Sequence, residues 1–138
     1  MNYLSSNYDD EKRWMSYFYQ AKEVLSYKPR SVLVIGKGSG LVEEYLKLYA
    51  VKVTTLDVDE GLKPDIVASV TKMPFEDGEF EVVLCAQVLE HLPYADFGIA
   101  LSEIKRVTKD RAIISLPHFG PVIKFCLKIP LLPPIKFM

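Results

Sequence analysis

The chain has 138 residues, 49% hydrophobic and 25% charged, which fits one globular domain with a single core and excludes a disordered or fibrous protein. Its 17 basic and 18 acidic side chains give a formal net charge of −1, so no general attraction to nucleic acid or to an anionic membrane is expected. Two cysteines, Cys85 and Cys126, make no disulfide framework, and no run approaches the roughly 20 apolar residues of a spanning helix.

The polar start Met1-Asn2-Tyr3, running into Asp9-Asp10-Glu11, is unlike a secretory signal. A soluble, reducing, cytoplasmic setting is the expectation. From Asp9 to Leu25 the apolar and aromatic residues Trp14, Tyr17, Phe18, Ala21, Val24 and Leu25 recur at helical spacing. The acids at its start suit a helix N-terminus, and Lys28-Pro29 ends it. This helix is expected to cover a sheet, with Trp14, Tyr17, Phe18 and Tyr19 as an alternative cap over a ligand. Val32 to Ile35 is a short, mostly β-branched run, the pattern of a parallel strand buried on both faces. Leu41 to Ala50 has helical period, with Leu41, Val42, Tyr45, Leu46 and Tyr49 inward. Strands are expected at Val51–Leu56, Asp65–Ala68, Phe80–Ala86 and Arg111–Leu116, and a helix at Asp96–Val107 with Phe97, Ala100, Leu101, Ile104 and Val107 inward. Strands alternating with helices of this length predict right-handed βαβ units and a mainly parallel sheet. Cys85 lies inside an apolar run and reads as a small buried hydrophobe.

Gly36-Lys37-Gly38-Ser39-Gly40 falls between a strand and a helix. Glycines there permit positive φ and let a ligand approach the backbone closely, and the following helix start offers unpaired N–H groups. Asp57 follows about 20 residues later at the end of the next strand, where one carboxylate can accept hydrogen bonds from both hydroxyls of a ribose. The two features together predict a nucleoside site. The spacing is G-x-G-x-G rather than the dinucleotide pattern G-x-G-x-x-G, which disfavours a nicotinamide oxidoreductase.

Lys72-Met73-Pro74-Phe75-Glu76-Asp77-Gly78-Glu79-Phe80-Glu81-Val82-Val83-Leu84, followed by Gln87-Val88-Leu89-Glu90-His91-Leu92, closely resembles the class I S-adenosylmethionine-dependent methyltransferases, type 11-like. The segment from Val32 to Gly40 is similar to the same family's first motif, and the likeness spans about Ser31 to Pro117. The resemblance implies an α/β Rossmann-like three-layer sandwich with strand order 3-2-1-4-5 and S-adenosyl-L-methionine as cofactor. It also implies the site. Gly36, Gly38 and Gly40 would line the methionine part, Asp57 would hold the ribose hydroxyls, and Val58 would pack on the adenine. Ser69 and Val70 would meet the adenine edge, while Cys85, Ala86 and Gln87 would pass close to the sulfonium and the acceptor. Glu90 and His91 would open the helix or turn beyond.

Three positions depart from the family pattern: Val34 where an acid is frequent, Ser69 where an aspartate is common, and Lys37 inside the glycine turn. Lys37 could reach the methionine carboxylate or be a solvated surface lysine. His91 and His118 are candidate general bases, but neither is assigned a catalytic role, and their spacing with no third ligand gives no metal site. The acceptor is expected to be a small molecule; a non-catalytic cofactor-binding module working with a partner chain is the alternative. The whole chain, 1–138, reads as one domain: an N-terminal helical cap over 1–28, a core over 31–117 and an apolar tail over 118–138. Four prolines follow Gly120, and the tail is expected to be too short to supply the family's last two strands. The fifth strand would then be an open edge, with Val122 to Lys128 covering it or mediating self-association, through that edge or through the apolar tail.

Overall fold

The computed structural model describes residues 10–117, 125–127 and 135–137. Its first element is α1 (Glu11–Ser26), whose N-cap Asp10 accepts a hydrogen bond from the Arg13 backbone N–H at 2.9 Å. The strand β1 (Ser31–Ile35), the helix α2 (Leu41–Lys47) and the strand β2 (Lys52–Asp57) follow, then a 3₁₀ turn at Glu60–Leu62 and the short β3 (Ile66–Val67). Next come β4 (Phe80–Ala86), a 3₁₀ turn at Leu89–His91, α3 (Tyr94–Val107) and β5 (Thr108–Ser115). Two short strands end the chain, β6 (Phe125–Leu127) and β7 (Ile135–Phe137).

The seven strands form one sheet in the order β3-β2-β1-β4-β5-β7-β6. All pairings are parallel except β6 with β7. The expected order 3-2-1-4-5 is therefore present, but the expectation that the last two strands are missing is corrected. Three residues suffice for each of them, and none of the four prolines after Gly120 falls inside either strand, so no ladder N–H is lost. The edge of β5 is paired by β7 through Ala112 to Ile114, not by Val122–Lys128. Within that expected segment only residues 125–127 are described, and they form the outermost strand. The fifth strand, expected to be an open edge, is thus paired. His118 lies outside the described residues.

Alternation along the strands separates two cores. Val32, Val34, Val82, Leu84 and Ile113 pack with Ala21 and Val24 of α1 and with Val42 and Leu46 of α2. Leu33, Ile35, Val83, Cys85 and Ile114 pack on the other face with Ala100, Ile104 and Val107 of α3. The inward face of α3 is as expected. That of α1 is so in part: Tyr17, Ala21, Val24 and Leu25 pack inward, whereas Trp14 and Phe18 are about half exposed and Gln20 is buried. Likewise Tyr45 of α2 and Tyr49 beyond it are exposed while Glu43 is buried, and α2 ends at Lys47 rather than Ala50.

The Met73–Asp77 loop is tied to α3 by Arg106. Its guanidinium donates to the carbonyls of Phe75 at 2.6 Å and Met73 at 3.0 Å, and to Glu103 at 2.6 Å. Glu103 in turn accepts the Met73 N–H at 2.8 Å. The Arg106 guanidinium first, and the Met73 N–H with it, hold the Glu103 carboxyl below its ordinary value of 4.5. A carboxyl lowered by folding adds stability that is complete above its unfolded value and is lost as pH falls through the folded one. Thermal melts of the wild type and Glu103→Gln should therefore differ by a constant amount above the ordinary carboxylate range and converge as pH falls below it. A pH-independent gap would mean that the ion pair contributes nothing through its charge. No helix among the described residues is long and apolar enough to cross a membrane.

Candidate functional site

The carboxyl ends of β1, β2 and β4 open onto a cavity of about 670 Å³. Its floor is the glycine turn after β1. Gly36 and Gly38 have φ of +84° and +55°, a region that side-chain-bearing residues rarely adopt. The two are glycines for different reasons. A Cβ on Gly36 would sit 2.5 Å from Cγ2 of Val88, whereas one on Gly38 would meet nothing within 4 Å. The first must be bare to let its own chain pack; the second leaves the turn open on a residue that lines the cavity. Ser39 also lines it, and its Oγ is buried without a hydrogen-bond partner among the described residues.

Asp57 closes β2 at the cavity wall. One carboxylate oxygen accepts the Lys37 N–H at 2.8 Å and the other accepts the Asp59 N–H at 3.0 Å. The acid is thereby fixed by two charge-assisted bonds, one to the glycine turn and one to its own loop, and each oxygen keeps a further acceptor site. Val58 follows it, 71% exposed, and presents an apolar surface to the same space. Ser69 and buried Val70 stand beyond it. The Ser69 hydroxyl pairs with that of Thr71 at 2.8 Å.

At the end of β4 the alternation decides which side chains reach the cavity. Leu84 and Ala86 line it; Cys85 points into the opposite core and is fully buried. Desolvation first, and the charge of Glu90 second, push its thiol up to about 12, so it is a protonated, inert hydrophobe at neutral pH. Gln87 holds φ +55° and donates its N–H to the Ser115 carbonyl at 2.8 Å. A non-glycine residue held in that region is strained backbone of the kind that concentrates at functional sites.

Of the expected site residues, Gly36, Lys37, Gly38, Asp57, Val58, Ser69, Val70, Ala86 and Gln87 come together around the cavity. Two do not. The Cys85 side chain faces away, and Gly40 lies behind the turn, buried, as the N-cap of α2 with φ +83°. Lys37 is not the solvated surface lysine of one expectation: its side chain is only 20% exposed, and its ammonium turns back to Glu43 and to the Lys63 carbonyl. Of the proposed aromatic cap, only Tyr17 lines the cavity, and with it stand Arg13 and Gln20 from the same face of α1. These last two were missed. The signal was a polar residue, Gln20, set between Tyr17 and Val24 at helical spacing. Glu90 and His91 line the rim, 3.9 Å apart, with the His91 side chain 74% exposed. Among the described residues no cluster of three or more His, Cys, Asp or Glu is placed to hold a metal ion.

Comparison with known proteins agrees with this geometry. Residues 33–116 match the family model described as methyltransferase domain. An uncharacterised protein of Methanocaldococcus jannaschii is 30% identical over 113 residues, covering 78% of this chain and 49% of that one. Among solved structures, a protein of Pyrococcus horikoshii is similar with TM-score 0.61 and 21% identity, over 79% of this chain and 57% of that one. The Burkholderia thailandensis 1,6-didemethyltoxoflavin-N1-methyltransferase, solved with 1,6-didemethyltoxoflavin and S-adenosylhomocysteine, is similar with TM-score 0.59 and 18% identity, over 78% and 55%. A methyltransferase dependent on S-adenosylmethionine from Archaeoglobus fulgidus follows with TM-score 0.58 and 23% identity, over 74% and 51%. These structural likenesses concern the fold. The chain spans about half the length of the curated relative it matches.

Proposed function

The chain belongs to the methyltransferase domain family, and from that premise we propose that it binds S-adenosylmethionine above the glycine turn and transfers a methyl group to a small-molecule acceptor. The observation that carries the proposal is the Asp57 carboxylate, fixed at 2.8 Å to the N–H of Lys37 at the edge of an open turn. In this reading Asp57 accepts the ribose hydroxyls and Val58 lies against the adenine, with Ser69 and Val70 at its edge. Gly36 and Gly38 leave the backbone bare for the amino-acid arm.

The arm ends in a carboxylate. The carboxylate is assigned to Arg13, a cation on the α1 face that lines the cavity. The cofactor, when bound, supplies a methyl group on a sulfonium leaving group. The chain then has to hold donor and acceptor in line and exclude water, so proximity and orientation carry the rate. Ala86 and Gln87 border the reacting end in this reading, and Cys85 takes no part through its side chain. No residue is assigned as a general base. The acceptor class is supported by the Burkholderia relative, whose bound 1,6-didemethyltoxoflavin is a small molecule, and by a net charge of −1 that offers no general hold on a polyanion.

Calorimetry of the full chain with S-adenosylhomocysteine and with NAD tests the cofactor. Binding of the first alone is expected, and binding of NAD alone would overturn the reading. Incubation with labelled S-adenosylmethionine across a panel of small acceptors tests transfer. Arg13→Met should weaken S-adenosylhomocysteine roughly tenfold through one lost charge-assisted pair, and leave 5′-methylthioadenosine, which lacks the carboxylate, unaffected. Equal losses for both ligands would remove Arg13 from that role.

A further inference from the structure

The lysine inside the glycine turn is held at both ends. Its backbone N–H goes to Asp57 at 2.8 Å. Its ammonium donates to the Lys63 carbonyl at 2.9 Å and lies 3.4 Å from a Glu43 carboxylate oxygen. Its stem folds back over Gly40, where a Cβ would stand 3.5 Å from Lys37 Cε. Glu43 is a buried acid, 7% exposed at its side chain, and Lys47, one turn further along α2, reaches it from solvent at 2.6 Å. A carboxylate taken out of water in this way is retained only with partners, and one of its two lysines comes from the turn.

We propose that Lys37 is a positioning residue, a clamp that joins the glycine turn, α2 and the loop from Asp57 to Lys63 before any ligand arrives. The proposal rests on the reading of the cavity as an adenosine site. The three segments the clamp joins border the space in which Asp57 and Val58 stand. Lys63 itself has φ +52°, so the loop end whose carbonyl receives the ammonium is in a conformation that needs support from its surroundings. Segments ordered in advance do not have to be ordered at the expense of binding free energy. Glu43 acts through Lys37, and neither touches the ligand by its side chain.

The test is calorimetry of the full chain with S-adenosylhomocysteine and with 5′-methylthioadenosine. Lys37→Met should weaken both ligands by the same factor, roughly five- to twentyfold. Glu43→Gln should reproduce that loss, the two changes together should add little further, and Lys37→Arg should restore most of it. Lys47→Met removes the other partner of Glu43 without touching the turn, and should leave both affinities within about twofold. If Lys37→Met does not fold by thermal melt, Glu43→Gln and Lys37→Arg decide the matter. A loss confined to S-adenosylhomocysteine would overturn the clamp, since it would place the ammonium on the amino-acid end. Unchanged affinities in Lys37→Met or in Glu43→Gln would overturn it as well. A wild type that binds neither ligand would instead overturn the reading of the cavity, and the clamp with it.

Discussion

Asp57→Ala is expected to weaken S-adenosylhomocysteine by about 2–3 kcal/mol, roughly 30- to 150-fold in Kd. The magnitude follows from what the carboxylate does in two directions. Toward the ligand it offers charged acceptor sites to two hydroxyls, each such bond contributing about 1.5–3 kcal/mol and the pair less than their sum. Toward the chain it fixes the Lys37 and Asp59 N–H groups at 2.8 and 3.0 Å, so its loss also frees the turn. Asp57→Asn separates the two contributions: it keeps the shape and one acceptor oxygen but loses the charge, and should fall between the wild type and alanine. Titration calorimetry reads both. An alanine variant with wild-type affinity would show that the ribose lies elsewhere.

The second large effect is on stability. Gly36→Ala forces a side chain onto φ +84° and sets a Cβ 2.5 Å from Val88 Cγ2. The conformation costs about 1–2 kcal/mol and the overlap about 1–3 kcal/mol more. A fall in Tm of roughly 10 °C or more is expected for a domain of this size. Adding Val88→Ala removes the overlap but not the strained φ, so the double variant should recover part of the loss despite deleting a half-buried side chain. Gly38→Ala provides the contrast. Its Cβ meets no atom of the chain, so it should cost only about 1–2 kcal/mol of stability while impairing cofactor binding. Equal stability losses at the two glycines would contradict the view that one is bare for the chain and the other for the ligand.

These two residues also show what the sequence made legible. Gly36 and Asp57 were found by spacing, because a parallel strand is a continuous apolar run with an abrupt end, and the functional residue sits at that end. Ala86, the last residue of β4, and Gln87 after it came instead from the resemblance to the family's motifs. Helix faces were harder to read. In α1 the aromatic residues Trp14, Phe18 and Tyr19 repeat as regularly as Tyr17, Ala21 and Val24 do, and hydrophobicity alone cannot tell which of two adjacent stripes is inside. The buried Gln20 and the lining Arg13 mark the stripe that faces the sheet. In α2 the inward Glu43 replaces the expected tyrosines because Lys37 and Lys47 neutralise it, a tertiary arrangement that no local periodicity encodes.

Cys85 follows a different logic. Its place at the end of β4 was right, but a strand alternates, and Ala86 facing the cavity means that Cys85 faces the other core. The end of the chain was misjudged through its length. The tail was read as too short for two further strands, whereas three residues suffice for each, and residues 125–127 and 135–137 are free of proline.

The most direct measurement is a crystal structure of the full chain soaked with S-adenosylhomocysteine. Ribose hydroxyls are expected within hydrogen-bond distance of the Asp57 carboxylate, with a homocysteine arm crossing the bare backbone at Gly38 toward Arg13. A nucleoside bound elsewhere, with the space above the glycine turn filled by the protein's own side chains, would contradict that placement.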